Sequence, residues 1–319
     1  MSGDLVAQLN LDEDRVLSIV IATADDADAV RSVIVDAFGN RPRVDPPPPA
    51  LSETADSVAA ALDRGLGLLA LVDGVPAGTL ILAERAGSAS LTRVSVRPRF
   101  QQLGIASAMV AVALDLLAER GVRTVELTAR AEFPAVVSWW RRHGFVEVGR
   151  EGTSLHLRRQ VPVWVEVPTA ELMRDLGRRL APVVRAGDLI IASGDLGAGK
   201  TTFAQGLGEG LQVAGSIISP TFVLSRVHRS LVGGPALVHV DAYRLGSFAE
   251  LEDLDLEVSL DDSVTLVEWG AGIAEGLAAE HLDVDIRRSI DPDDETRLVF
   301  LTPIGARWER ARAELEALR

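Results

Sequence analysis

Residues Leu189 to Gln205, LIIASGDLGAGKTTFAQ, constrain the fold more tightly than any other stretch of the chain. An apolar run, Leu189 to Ala192, leads into a glycine-rich turn, and a run that reads as helix follows. Inside it stands Gly194-x-x-x-x-Gly199-Lys200-Thr201. A strand, a glycine-rich turn and a helix are the context in which this pattern holds phosphate. The glycines let the backbone curl until several N–H groups point at one centre, and the helix N-terminus adds partial positive charge. Lys200 is the only lysine among 32 Lys and Arg residues. A compact ammonium fits inside such a cradle, where a planar guanidinium is too large. The stretch therefore predicts an α/β phosphate-loop domain. Lys200 would reach the β- and γ-phosphates of a nucleotide, and the Thr201 hydroxyl would offer a Mg²⁺ ligand. Asp195, Gly197, Ala198, Gly199 and Thr202 complete the candidate nucleotide-binding loop.

A length of 319 residues suggests two domains. There is no cysteine, which excludes disulfides, thiolate zinc sites and cysteine nucleophiles. The start, MSGDLVAQLN, has neither the basic region nor the apolar core of a signal peptide. The longest uncharged runs, Phe100 to Leu114 and Gly210 to Ser225, are too short for a membrane span. A cytoplasmic protein with no membrane partner is the expectation. The net charge is −14, and it is uneven: residues 1–160 carry 17 basic and 20 acidic side chains, residues 161–319 carry 15 and 26. Affinity for a nucleic-acid backbone comes mostly from Lys and Arg. Any nucleic acid would be reached only indirectly, through a partner.

In chain order, residues 1–14 read as a frayed polar lead-in. Val16 to Ala22 reads as a strand, and Asp25 opens a helix to about Phe38. Arg41 to Pro49 holds five prolines and reads as a loop. Ser52 opens another helix, and Asp73-Gly74 marks a hairpin turn between two apolar strands. Ser90 to Val96 reads as a strand, followed by Arg97-Pro98-Arg99-Phe100-Gln101-Gln102-Leu103-Gly104-Ile105-Ala106 and a long apolar helix. Thr124 to Thr128, Pro134 to His143, and a closing pair at Phe145 to Val148 and Leu155 to Arg158 complete the half.

This order, with Gln101-x-x-Gly104-x-Ala106 opening a helix and AVVSWWRRHGF from Ala135, resembles the GNAT acyltransferase family over roughly residues 15–160. The resemblance implies an α+β fold with a mixed central sheet. It also implies acetyl-CoA held by Val96, Gln101, Gln102, Gly104 and Ala106, and an amine acceptor on a protein or small molecule. Two departures bear on acetyl transfer. Trp140 stands where many members have a tyrosine acid, and an indole N–H is no acid at useful pH. Glu132 replaces a frequent asparagine, leaving Glu84 or Glu126 as candidate bases.

Val161 to Thr169 reads as the junction, giving domains at 1–160 and 161–319. In the second domain, Leu172, Leu176 and Leu180 make a helical stripe before the phosphate loop. Beyond it, Thr221 in SPTF is placed like a switch residue sensing the γ-phosphate. Asp241 ends the strand in HVDAYRL, and Glu268 ends the strand in VEWG. Open α/β sheets gather ligands at the C-terminal ends of their strands. Both carboxylates are therefore candidates for Mg²⁺ or the attacking water. His239 is a candidate hydrogen-bonding or catalytic residue. Residues 247–262 hold seven acids and no base, either a solvated face or a dock for a basic partner.

GDLGAGKTTFAQGL, SPTF, HVDAYRL and VEWG, in this order, are similar to the bacterial TsaE family over about residues 165–315. The resemblance implies a small ATPase that acts with TsaB and TsaD in making N6-threonylcarbamoyladenosine at position 37 of tRNA. In that scheme hydrolysis resets the TsaB–TsaD complex while TsaD performs the transfer. By position, Lys200, Asp241 and Glu268 carry catalysis, while Thr201, Glu268 and Asp241 hold Mg²⁺. Gly270 replaces a proline found in many relatives. Two other readings stand beside it: an N-acetyltransferase with a regulatory nucleotide-binding domain, and a small-molecule kinase. No Arg-rich lid for a kinase follows the core.

Overall fold

Leucine- and valine-rich runs in the first half of the chain pair into one sheet whose neighbours are mostly consecutive. They are β1 (Leu5–Asn10), β2 (Val16–Ala22), β3 (Leu66–Val72), β4 (Val75–Arg85), β5 (Ser88–Val96), β6 (Thr124–Arg130), β7 (Val146–Glu151) and β8 (Ser154–Gln160). The strand order is β1-β2-β3-β4-β5-β6-β8-β7. The computed structural model describes residues 4–12, 14–42, 44–220, 224–252, 254, 256, 260–289 and 294–319. It divides the chain into two units, Met1–Val161 and Pro162–Arg319.

In the first unit, α1 (Ala27–Gly39) and α2 (Ala55–Arg64) cover one stretch of the sheet. Val30, Ile34, Val58 and Leu62 pack there on Val20, Leu69, Leu71 and Ile81. The other helices are α3 (Ile105–Glu119) and α4 (Pro134–Arg142). Asp73 and Gly74 both take positive φ, 49° and 78°, the geometry of a tight hairpin turn. One expectation is corrected: Leu5–Asn10 lies outside any frayed lead-in and pairs antiparallel with β2. Leu5 and Leu9 stay exposed, so ladder hydrogen bonds rather than burial hold this edge strand, and hydropathy alone does not reveal it.

Every pairing in this sheet is antiparallel except β5 with β6. That parallel ladder spans only Ser88–Ser90 against Thr124–Glu126. Beyond it β5 stays paired with β4 as far as Val96, and β6 with β8 as far as Arg130. The sheet is therefore split at the end from which Val96 enters the loop to α3.

The second unit is built from β9 (Val163–Val167), α5 (Ala170–Leu180), β10 (Leu189–Ser193), α6 (Lys200–Gly210), β11 (Ser225–His228), β12 (Ala236–Asp241), α7 (Phe248–Glu252), β13 (Ser263–Glu268), β14 (His281–Arg288), β15 (Arg297–Ile304), α8 (Ala306–Arg310) and α9 (Arg312–Glu316). Its sheet runs β11-β12-β13-β10-β14-β15-β9. The four central strands are parallel and the outer ones antiparallel. Parallel strands covered on both faces read as continuous apolar runs. Leu189 to Ala192 and all six residues of β13 are buried accordingly.

α5 lies against α6 at backbone contact. A Cβ on Gly206 would stand 1.8 Å from the Arg174 carbonyl oxygen, and one on Gly177 2.2 Å from that of Phe203. At the other end of β10, buried Asp188 accepts from the Arg307 guanidinium at 2.7 and 3.1 Å. Arg307 also donates to the Val183 carbonyl at 2.6 Å, which ties α8 to the start of β10. Pairing two buried charges and satisfying their hydrogen bonds is what makes such burial tolerable. No helix among the described residues is long and apolar enough to cross a membrane.

Candidate functional site

The loop between β10 and α6 turns on three glycines with φ of 137° (Gly194), 77° (Gly197) and 113° (Gly199). At Gly194 no side chain fits in any case, because a Cβ would sit 2.2 Å from the Ile286 carbonyl oxygen. Ala198 is buried and donates its N–H to the Asp195 carbonyl. The N–H groups of Asp195, Leu196 and Gly197, and of Gly199, Lys200, Thr201 and Thr202, make no bond to a backbone carbonyl among the described residues. Donors left over at a helix start form an anion-binding concavity.

Lys200 is 5% exposed. Its ammonium donates to the carbonyls of Gly194 at 2.7 Å and Asp195 at 3.0 Å. It also lies 3.7 Å from the centre of the Trp269 ring, a cation–π contact. Burial pulls its pKa below the ordinary lysine value, against the opposing pull of Glu268, Asp241 and Asp195.

The carboxylates come from neighbouring parallel strands, with Asp241 in register with Glu268. Leu237 on β12, and Val264 and Leu266 on β13, share a core with Phe203 and Leu207 of α6. Side chains two residues apart share a sheet face, so His239, Asp241 and Glu268 all lie on the α6 side. There Thr201 Oγ1 donates to Glu268 Oε2 at 3.0 Å. His239 Nε2 lies 2.8 Å from Glu268 Oε1. Asp241 accepts from Ser219 Oγ at 2.5 Å and from the Tyr243 N–H at 3.0 Å. Tyr243 and Trp269 rings are 5.1 Å apart. Thus Lys200, Thr201, Asp241 and Glu268 converge on one site. Thr221 lies outside the described residues. Ser219 and Trp269 join the site although the sequence drew attention only to the motifs around them. A Cβ on Gly270 would meet Val267 and Ala274 at 2.8 and 2.9 Å, so glycine here accompanies close packing under the loop.

The donor set fits a magnesium nucleotide: a hydroxyl and two carboxylates of the oxygen type that hard cations take, beside an ammonium and seven N–H groups with no backbone partner among the described residues.

In the first unit, Val96 ends β5 and Gln101 Nε2 donates to its carbonyl at 3.3 Å. Gln102 and Gly104 take φ of 66° and 75°, and Gly104 caps α3. The N–H groups of residues 102–107, Ala106 included, make no bond to a backbone carbonyl among the described residues. This is a second cradle of the same physical kind, at the split end of the sheet. Ser107 and His143, which the sequence left unmarked, meet beside it at 2.8 Å, and His143 stacks on Trp139 with centroids 3.9 Å apart. Trp140 is buried edge-on against Phe145 and is a core residue. Glu84 is held by Arg120 at 2.5 Å and lies near the β4–β5 turn, while Val96 pairs at the far end. Glu126 is held by Arg158 at 2.7 Å, opposite Ser90 in the paired part of β5 and β6. Neither stands at the split.

These features define the class. The second unit is a P-loop α/β domain with its site at the C-terminal ends of parallel strands, and the first is a GNAT-type mixed-sheet domain. The model of the family described as threonylcarbamoyl adenosine biosynthesis protein TsaE matches residues 167–297. The acetyltransferase (GNAT) family matches residues 32–145. The chain is 60% identical over 141 residues to the tRNA threonylcarbamoyladenosine biosynthesis protein TsaE of Streptomyces coelicolor, covering 44% of this chain and 95% of that protein. It is 49% identical to the protein of the same name from Mycobacterium leprae, over 35% of this chain and 74% of the relative. Among solved structures it is similar to Bacillus subtilis YdiB, at 32% identity and a TM-score of 0.40, over 49% of this chain and 95% of the other. It is also similar to the PaiA N-acetyltransferase of Thermoplasma acidophilum in complex with coenzyme A, at 15% identity and a TM-score of 0.42, over 45% and 98%. Through its second unit the chain belongs to the TsaE family, and its first unit carries a GNAT acetyltransferase domain.

Proposed function

We propose that this chain is a Mg²⁺-dependent ATPase of N6-threonylcarbamoyladenosine formation on tRNA. It acts with TsaB and TsaD, and tRNA is reached only through them. The name carried by the Streptomyces coelicolor and Mycobacterium leprae relatives supports the pathway. One observation supports the chemistry above all: Thr201 and His239 grip the two oxygens of Glu268 beside the Lys200 cradle. The N–H groups of the loop and the Lys200 ammonium receive the β- and γ-phosphates. Thr201 and Glu268 hold Mg²⁺, and Asp241, fixed by Ser219 and Tyr243, orients water or completes the metal shell. The cation neutralises charge on the phosphate oxygens when bound. Turnover resets the TsaB–TsaD complex.

The first unit, in this reading, binds acetyl-CoA along Val96 and the N–H groups of residues 102–107. An amine on a protein or small molecule is the acceptor class. Trp140, which stands where many members of the family have a tyrosine acid, is buried, so any transfer relies on a thiolate leaving without that acid.

Calorimetric titration tests both cradles separately. The chain should bind Mg²⁺–ADP and acetyl-CoA independently. Lys200→Ala should weaken nucleotide binding by about 10–100-fold, the cost of a charge-assisted hydrogen bond. Gly104→Val, forced into positive φ, should weaken acetyl-CoA alone. Wild-type protein that binds neither ligand would refute the proposal.

A further inference from the structure

His239 is fully buried, 0% exposed, on the central strand β12, one pleat before Asp241. Burying an imidazole among aliphatic side chains is costly unless its nitrogens find partners. Its Nε2 lies 2.8 Å from Glu268 Oε1. An ionised carboxylate only accepts, so against one Nε2 carries the hydrogen. Its Nδ1 is buried and without a hydrogen-bond partner among the described residues. Among the described residues the ring's one hydrogen bond is thus to the carboxylate.

Glu268 is held from two directions. Thr201 on α6 commits its hydroxyl hydrogen to Oε2, which leaves the Thr201 oxygen lone pairs free to face a cation. His239 on β12 commits its N–H to Oε1. With one donor removed, the carboxylate turns about its terminal torsion, which is broad and soft. With both in place, the plane of the carboxylate is fixed relative to the Thr201 oxygen. Hydrogen-bonded partners behind metal ligands orient them, and their loss costs 10–100-fold in metal affinity or activity in known sites.

We propose that His239 is a positioning residue for the magnesium-binding pair Thr201–Glu268. It sets the orientation of the Glu268 carboxylate and touches neither nucleotide nor metal. The proposal rests on the reading of Glu268 as a Mg²⁺ ligand.

The test uses the full-length chain and Mn²⁺ as the probe. Binding is followed by the loss of the free-ion electron paramagnetic resonance signal in the presence of ADP. His239→Ala should weaken Mn²⁺ binding about 10–100-fold while leaving metal-free ADP affinity unchanged. His239→Gln, which restores a side-chain donor, should recover most of the loss. In ATP hydrolysis His239→Ala should raise the Mg²⁺ concentration needed for half-maximal rate more than it raises the KM for ATP. Wild-type Mn²⁺ affinity in His239→Ala would overturn the proposal. So would equal losses of metal-free ADP and Mn²⁺ binding, which a merely structural role would give. Should His239→Ala fail to fold, the wild-type histidine ¹⁵N spectrum decides. An Nε2-protonated ring whose shift moves on adding Mg²⁺–ADP supports the assignment, and an Nδ1-protonated ring overturns it. Wild-type protein that binds neither ADP nor Mn²⁺ removes the ATPase reading itself. Binding by wild type with an indifferent variant removes the positioning role alone.

Discussion

At the scale of single residues, charge is spent where geometry can hold it. Arg130 at the end of β6 reaches across to the carbonyls of Asp45 and Pro46 at 3.2 and 3.0 Å. It also binds the Glu132 carboxylate at 2.5 Å. Glu132 therefore fastens the arginine that joins two loops of the first unit, at a position where the GNAT resemblance leads one to expect asparagine. Its hydrogen bond from Arg130 lowers its pKa from an ordinary 4.5 to about 2. A carboxylate whose folded pKa is depressed contributes stability above its unfolded value and loses that contribution as pH falls toward the folded one. Between pH 4.5 and about 2 the wild type should therefore lose this contribution, whereas Glu132→Gln should lack it at all pH values and show a shallower fall in Tm across that window. Because both side chains are solvent-accessible, the difference should shrink in high salt. Thermal melts across the acid range check this, and parallel curves for the two proteins would contradict it.

At the scale of elements, the seam between α5 and α6 explains why the phosphate-loop helix is so rich in glycine. KTTFAQGLGEG has three glycines in one helix, each costing helix propensity relative to alanine. Two of them meet neighbouring backbone: Gly206 faces the Arg174 carbonyl, and Gly210 faces Arg178 and Ala181. Arg174 and Arg178 then bridge the same seam to Gln205 and Glu209. Gly206→Ala should lower stability by about 1–3 kcal/mol through overpacking, even though alanine favours helix by roughly 1 kcal/mol. Urea unfolding of the two proteins measures it, and a stabilised variant would contradict the account. Elements that carry a motif were legible from sequence. The strands before Gly194, Asp241 and Glu268 are apolar runs ending in a chemically distinctive residue. Other elements were not. β11 is four residues, SRVH, with exposed Arg226 and Val227, and it exists because β12 offers a ladder. β14 alternates Leu282, Val284 and Ile286 with Asp283 and Asp285, a strand period that the acidic residues obscured. Within the site, Ser219 and Trp269 stand close to the catalytic candidates in space for reasons of loop path, which residue spacing does not encode. The Ser107–His143 contact joins residues 36 apart, and no local pattern marks such a pair.

At the scale of the whole molecule, one chain carries two anion cradles of the same physical construction. Each is a strand, a turn with positive-φ residues and a helix whose first N–H groups lack backbone partners among the described residues. The cradles differ in what surrounds them. Beside the first-unit cradle stand Ser107 and His143, while Glu84 and Glu126 lie away from the split in the sheet. The second adds a buried ammonium, a hydroxyl and two carboxylates from adjacent strand ends, the equipment for phosphoryl chemistry rather than for holding a diphosphate alone. The second half also carries most of the negative charge, with 26 acidic against 15 basic residues, which suits docking to a protein partner better than direct contact with tRNA. The most direct test of the account is ATP hydrolysis by the purified chain, alone and with matching TsaB and TsaD, with Lys200→Ala as control. Weak Mg²⁺-dependent hydrolysis alone, stimulation by the pair, and loss in the variant are the expected results. Hydrolysis indifferent to TsaB and TsaD, or none in any mixture, would contradict it.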